Sequence, residues 1–260
     1  MTDAGSGAPV RYEVTDGVAR VVLDAPEARN VLTGESLRLF SDALDRAALD
    51  DDVRVVVIAA TGRAFCAGAD LRGTGGEAGD FTARYTGALT RLLDHPKPTI
   101  ARVQGHVAGG GNGLVAGADL SVAVEDAKLA FSEVRVGAVP AIVSVVALAR
   151  IPRAQAIELF LTGERVPAAR AQEAGLLTRV VPDVEALDEA VETWVAQLRL
   201  GGPEAMRRTK EVLRRVPQME RGEAFAWTEQ VSAAAFSSEE AAEGMAAFVQ
   251  RRPPAWAASP

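Results

Sequence analysis

The stretch Gly62-Arg63-Ala64-Phe65-Cys66-Ala67-Gly68-Ala69-Asp70-Leu71 decides how this chain of 260 residues is built. It follows residues 53–60, a β-branched run of the kind that forms a strand buried on both faces. Small residues at the end of such a strand keep side chains clear of the backbone. Amide N–H groups left without partners there can point at one ligand oxygen. A second turn of the same kind, Gly109-Gly110-Gly111-Asn112-Gly113, comes after a further predicted strand at 99–107, which is set off by the breaker His95-Pro96-Lys97-Pro98. One glycine turn alone is only a tight turn, but two that converge make an oxyanion hole.

Toward the N-terminus, alternating apolar residues at 10–14 and 18–23 flank Asp16-Gly17 and predict a hairpin whose turn takes positive φ. Thr33 is an N-cap for a helix over 35–49, where Leu37, Phe40, Leu44 and Ala47 recur at helical spacing. Toward the C-terminus, strands at 120–124 and 129–131 and a helix at 141–150 suggest a repeated β-β-α unit without a literal sequence repeat. Beyond residue 150 the pattern is almost wholly helical. Pro167 predicts a first helical turn, Gly175 a C-cap and 177–181 one short strand; 186–200, 203–215, 220–236 and 238–251 are successive amphipathic helices. The glycine-rich segment 72–80 predicts a mobile surface loop, placed as a lid after the first turn.

Composition narrows the function. No apolar run approaches the roughly 20 residues of a membrane span, and the first nine residues have neither the basic nor the apolar region of a signal peptide. The single cysteine, Cys66, can form neither an internal disulfide nor a cysteine zinc site, which suits the cytoplasm. A net charge of −7 argues against a nucleic-acid partner. Nothing in the sequence predicts a membrane partner or a metal.

Four pieces taken together carry a family resemblance: Leu23-Asp24-Ala25-Pro26-Glu27-Ala28-Arg29-Asn30-Val31-Leu32, the stretch from Gly62 to Leu71, Lys97-Pro98-Thr99-Ile100-Ala101 leading to the glycine triplet, and Phe131-Ser132-Glu133-Val134-Arg135-Val136-Gly137 before Val139-Pro140-Ala141. In this order and spacing the chain resembles the enoyl-CoA hydratase/isomerase (crotonase) superfamily over nearly its whole length. The resemblance implies an α/β fold, a crotonase-like spiral of β-β-α units with a helical C-terminal region. It divides the chain into a disordered tail at 1–9, a spiral core at 10–200 and a helical trimerisation region at 201–260, in a homotrimer or dimer of trimers.

By the same resemblance, the backbone amides of Ala69 and Gly110 are the oxyanion donors, and Glu133 is the catalytic acid and base. Ala28, Arg29, Ala67, Asp70, Leu71 and Gly109 match the stretches that bind coenzyme A, which would enter as part of the substrate and not as a permanent cofactor. Phe248-Val249-Gln250-Arg251-Arg252-Pro253-Pro254 matches a C-terminal signature whose basic residues can lie near coenzyme A. Hydratases of the family commonly use two glutamates, and here the first position falls on Gly113, which has no side chain. Hydration of a 2-enoyl-CoA by Glu133 alone and movement of a double bond from the 3- to the 2-position both remain open.

Rival chemistries are less well supported. Gly111-Asn112-Gly113-Leu114-Val115-Ala116 fits the G-x-G-x-x-A pattern of nicotinamide-dependent oxidoreductases, but it lies mid-chain and offers only Glu125 or Asp126 as the acidic partner expected about 20 residues on. A non-catalytic acyl-CoA binder would keep the two turns without aiming Glu133 at substrate. Neither Ser132 nor Ser144 stands in G-x-S-x-G, so an acyl-enzyme route lacks its nucleophile. His95 and His106 are expected to be structural, with His106 a possible lining of the acyl pocket, and Cys66 a packing residue.

Overall fold

The computed structural model of the chain describes residues 7–70 and 78–257. It begins with an antiparallel hairpin, β1 (Val10–Thr15) and β2 (Val18–Leu23). Asp16 and Gly17 take φ values of 49° and 73°, as the expected turn requires. Thr33 caps helix α1 (Gly34–Leu49) through a reciprocal pair: its hydroxyl accepts from the Ser36 amide and the Ser36 hydroxyl accepts from the Thr33 amide. Leu37, Phe40 and Leu44 of α1 are buried. Each contributes about 1.5–3 kcal/mol by leaving water.

Three β-β-α units follow. The first holds β3 (Val55–Ala60), β4 (Ala64–Cys66) and α2 (Ala78–Leu93); the second β5 (Thr99–Val103), β6 (His106–Ala108) and α3 (Gly111–Gly117). The third holds β7 (Leu120–Val124), β8 (Lys128–Ala130) and α4 (Ala141–Ala147). Then come α5 (Arg153–Thr162), β9 (Val166–Pro167), α6 (Ala168–Glu173), β10 (Arg179–Val181), α7 (Val184–Arg199), α8 (Pro203–Arg215), α9 (Arg221–Phe236) and α10 (Glu239–Gln250).

Each unit gives its first strand to one sheet and its second to another. The larger sheet has the order β1-β2-β3-β5-β7-β10 and the smaller β4-β6-β8-β9. Neighbours are parallel except at one end of each sheet, where β1 pairs β2 and β8 pairs β9 antiparallel. Every residue of β3 is buried, which is why its sequence is Val-Val-Val-Ile-Ala-Ala without alternation. Among the described residues no helix is long and apolar enough to cross a membrane.

Three expectations change. The strand predicted over 99–107 is two strands, because Gln104-Gly105 turn the chain out of the larger sheet and into the smaller one. The segment at 78–93 is a helix that helical propensity alone conceals, since Gly79, Gly87 and three threonines disfavour it. Packing supplies what propensity withholds: Tyr85, Ala88, Leu89 and Leu92 are buried at helical spacing. Pro167 stands at the N-cap of α6, one position before the first helical residue. Most of the predicted lid, 72–77, and residues 1–6 of the predicted tail lie outside the described residues; 78–80 are the first turn of α2.

The segment between β2 and α1 is fixed by Asn30. This residue is buried with φ of 54°, in the left-handed region that asparagine tolerates better than most residues. Its Nδ2 donates to the carbonyls of Thr61 and Ala64, both at 2.9 Å, and its Oδ1 accepts from the Ala25 amide at 2.8 Å. Asn30→Ala removes all three bonds and leaves buried groups unmatched, so it should lower stability by about 2–4 kcal/mol. Urea unfolding measures this. A loss below about 1 kcal/mol would show that other contacts hold the turn.

Candidate active site

Strands β4 and β6 run side by side with Cys66 opposite Val107, so the turns that leave them, at Ala67-Gly68-Ala69 and Ala108-Gly109-Gly110, meet. Gly68 has φ of 88°, and a Cβ there would stand 3.0 Å from the Ala108 carbonyl oxygen. A larger residue would hold the two turns apart. The first turn is tied to the N-terminal segment: the amides of Leu32, Asp70 and Ala67 donate to Gly68, Leu32 and Arg29 carbonyls at 2.7, 3.0 and 3.1 Å. The second is tied by Asn112, whose Nδ2 donates to the carbonyls of Gly109 at 3.1 Å and Ala130 at 2.8 Å.

With both turns anchored, the amides of Ala69 and Gly110 donate to no backbone carbonyl among the described residues. Both residues line one cavity of about 410 Å³. Glu133 reaches the same cavity from the 3-10 turn Ser132–Val136 that follows β8. Its Oε1 lies 3.5 Å from the point above Gly109 where a Cβ would stand, and its Oε2 is buried without a hydrogen-bond partner. Burial pushes the Glu133 carboxyl above its ordinary value, partly offset by a hydrogen bond from its own amide. Two unmatched donors beside an unmatched carboxylate oxygen can hold a developing oxyanion and move a proton next to it. The rest of the wall is mainly apolar, with Leu32, Phe81, Val139 and Ile142 among its residues.

Ala67, Ala69, Gly109, Gly110 and Glu133 are thus brought together. Ala28 and Arg29 do not line the cavity; Arg29 is exposed, with φ of 57°, and meets the site through its carbonyl bond to Ala67. Asp70 is also off the wall, and Leu71 lies outside the described residues. His106 does not line the acyl pocket, because its Nδ1 accepts from the Lys128 amide at 3.1 Å across the small sheet. His95 is buried against the Leu44 carbonyl and the Lys97 backbone, and burial lowers its pKa. Cys66 is fully buried and its thiol is pushed up to about 12, as suits a packing residue. Arg252 of the C-terminal signature is engaged with both oxygens of Glu243.

The sequence places the acyl pocket near residues 72–85 and 138–146, and Phe81, Thr82, Tyr85 and residues 138–143 do line it, but it gives Tyr85 no role of its own. Tyr85 lines the cavity from α2, and its hydroxyl stands 2.1 Å from where a Cβ on Gly113 would be. The signal was Gly113 itself, since a side chain missing at a buried site leaves volume that another group must fill.

The profile of the enoyl-CoA hydratase/isomerase family matches residues 13–259. Enoyl-CoA hydratase EchA19 of Mycobacterium tuberculosis is 35% identical, covering 98% of each chain. The (E)-benzylidenesuccinyl-CoA hydratase of Thauera aromatica is 32% identical over 95% of this chain and 98% of its own. A crystal structure of an enoyl-CoA hydratase from Mycobacterium smegmatis superimposes with a TM-score of 0.90 at 33% identity, covering 95% of this chain and 98% of that one.

Gly113→Ala should cost about 1–3 kcal/mol through overlap with the Tyr85 hydroxyl. In Tyr85→Phe the nearest ring atom would be 3.2 Å away, so the same change should cost less than half as much. A double-mutant cycle in urea checks this, and equal costs in the two backgrounds would place the clash elsewhere. For Glu133, a folded-state pKa raised above the unfolded value gives a stability contribution that is present below the unfolded pKa and lost as pH rises through the folded one. Glu133→Gln should therefore melt higher than the parent at pH 7 and lose that advantage toward pH 4. An advantage independent of pH would sever it from ionisation.

Proposed function

We propose that this chain, which belongs to the enoyl-CoA hydratase/isomerase family, is a hydratase that adds water to a 2-enoyl-CoA thioester with one glutamate as base and acid. The observation that carries the proposal is the meeting of two unmatched amides, at Ala69 and Gly110, with the unmatched carboxylate oxygen of Glu133 on one cavity.

The thioester carbonyl oxygen accepts from both amides. Glu133 takes a proton from water as the water oxygen bonds to C3, and the C2–C3 π pair moves through C2 to the carbonyl oxygen, forming an enolate. The fixed amide dipoles meet charge that appears only at that stage, and each such donor is typically worth about 2.7–4 kcal/mol. Protonated Glu133 then delivers its proton to C2. The raised pKa of Glu133 suits both halves of the cycle, since a carboxyl nearer neutrality accepts and returns a proton more evenly.

The apolar wall suits an apolar acyl chain. Coenzyme A enters as part of the substrate and passes the turns that hold Ala28, Arg29, Ala67, Asp70, Leu71 and Gly109, where the exposed Arg29 guanidinium can meet its phosphates. We place the enzyme in the cytoplasm, which suits its lone cysteine, as a homotrimer or dimer of trimers. Phe225, Phe236, Met245, Phe248 and Val249 are exposed on the terminal helices of the single chain and support self-association.

A second reaction is favoured by one observation: Gly113 supplies no second carboxylate, and a single Glu133 suffices to carry a proton from C2 of a 3-enoyl-CoA to C4 as the double bond moves to C2–C3. Assays of 2-enoyl- and 3-enoyl-CoA thioesters by their conjugated absorbance separate the two. Loss of the 2-enoyl signal is the expected result, and a gain from the 3-enoyl substrate alone would make the enzyme an isomerase. Glu133→Gln should lower kcat at least about 100-fold with coenzyme A binding retained. The acid limb of the wild-type profile should have its midpoint above the ordinary glutamate value of about 4.3. Turnover retained in the variant would remove Glu133 from the mechanism.

A further inference from the structure

Tyr85 is one group on the cavity that the hydration scheme leaves without a task. It is 5% exposed, its ring stacks at 6.3 Å on Phe81, and its hydroxyl donates to the Gly110 carbonyl at 2.6 Å. That bond uses its single hydrogen, so its remaining capacity is as an acceptor. The hydroxyl occupies the space beside Gly113 from which a side chain on α3 would enter the site. Burial and the nearby Cys66 and Glu133 raise the phenol pKa, so the group stays neutral at working pH.

We propose that Tyr85 is the second polar group of the catalytic site: its hydroxyl oxygen accepts a hydrogen bond from the water that Glu133 deprotonates, holding that water where a carboxylate on α3 would otherwise hold it. The proposal rests on the hydratase assignment. Tyr85 neither gains nor loses a proton. One water hydrogen stays on the oxygen that bonds to C3, and the other passes through Glu133 to C2. Gly113 is required because any Cβ there displaces the hydroxyl.

The test compares wild type, Tyr85→Phe and Gly113→Ala in two reactions. One is hydration of straight-chain 2-enoyl-CoA thioesters of four to ten carbons. The other is exchange of the α-protons of the matching saturated acyl-CoA thioesters in D2O, read by NMR. Exchange needs Glu133 and the two amides but no attacking water. Both variants should lose about 10–100-fold in hydration kcat, with KM changed less than about threefold and exchange changed far less than hydration. Equal losses in the two reactions would reduce Tyr85 to a support of the Gly110 turn and overturn the water role. Undiminished hydration in Tyr85→Phe would overturn it too. Wild-type exchange without hydration of any thioester would overturn the hydratase assignment and the water role with it, an outcome read in wild type alone.

Discussion

The approach of two backbone turns, with a Cβ at Gly68 only 3.0 Å from the Ala108 carbonyl, is the constraint on which the site depends. Parallel pairing of β4 with β6 sets the two strand ends level, and small residues at both ends let the turns come close. The β-β-α repeat serves this purpose. Each unit sends a second strand out of the large sheet, and the small sheet collects those strands so that their ends open on one cavity. The larger sheet, whose strand β3 is buried on both faces, supplies the stability that short strands of three residues cannot supply for themselves.

Holding polar backbone at such a junction requires side chains that match its buried carbonyls and amides. Asn30 satisfies three groups in the segment that braces the first turn, and Asn112 satisfies two in the second. On the cavity wall, two amides and one carboxylate oxygen, at Ala69, Gly110 and Glu133, stay unmatched. A buried carboxylate oxygen without a partner costs stability. The fold carries that cost at Glu133, whose pKa burial raises, and avoids it at Asn30.

Tyr85 and Gly113 show how one side chain fills the space that a glycine on a neighbouring helix leaves open. The missing side chain on α3 and the phenol from α2 are two halves of one steric arrangement, because the hydroxyl fits only where no Cβ stands. A carboxylate brings charge, whereas a buried phenol brings a neutral acceptor and a large apolar body. Glu133 is then the one carboxylate on the cavity wall among the described residues.

The sequence by itself determined the hairpin at Asp16-Gly17, the capped helix after Thr33, the buried run of β3, the two turns and Glu133. Each of these depends on local chemistry: left-handed turn residues, a capping hydroxyl, an unalternating apolar run, glycines at strand ends. Only the tertiary structure decided the rest. The division of 99–107 between two sheets depends on which neighbours the strands find, and α2 forms because Tyr85, Ala88, Leu89 and Leu92 gain a buried face that outweighs poor propensity. The hydroxyl that fills the space left by Gly113 lies 28 residues away, in a helix that the sequence pattern did not announce. Steric complementarity between residues remote in sequence leaves no local periodicity, so it becomes legible only once the chain has folded.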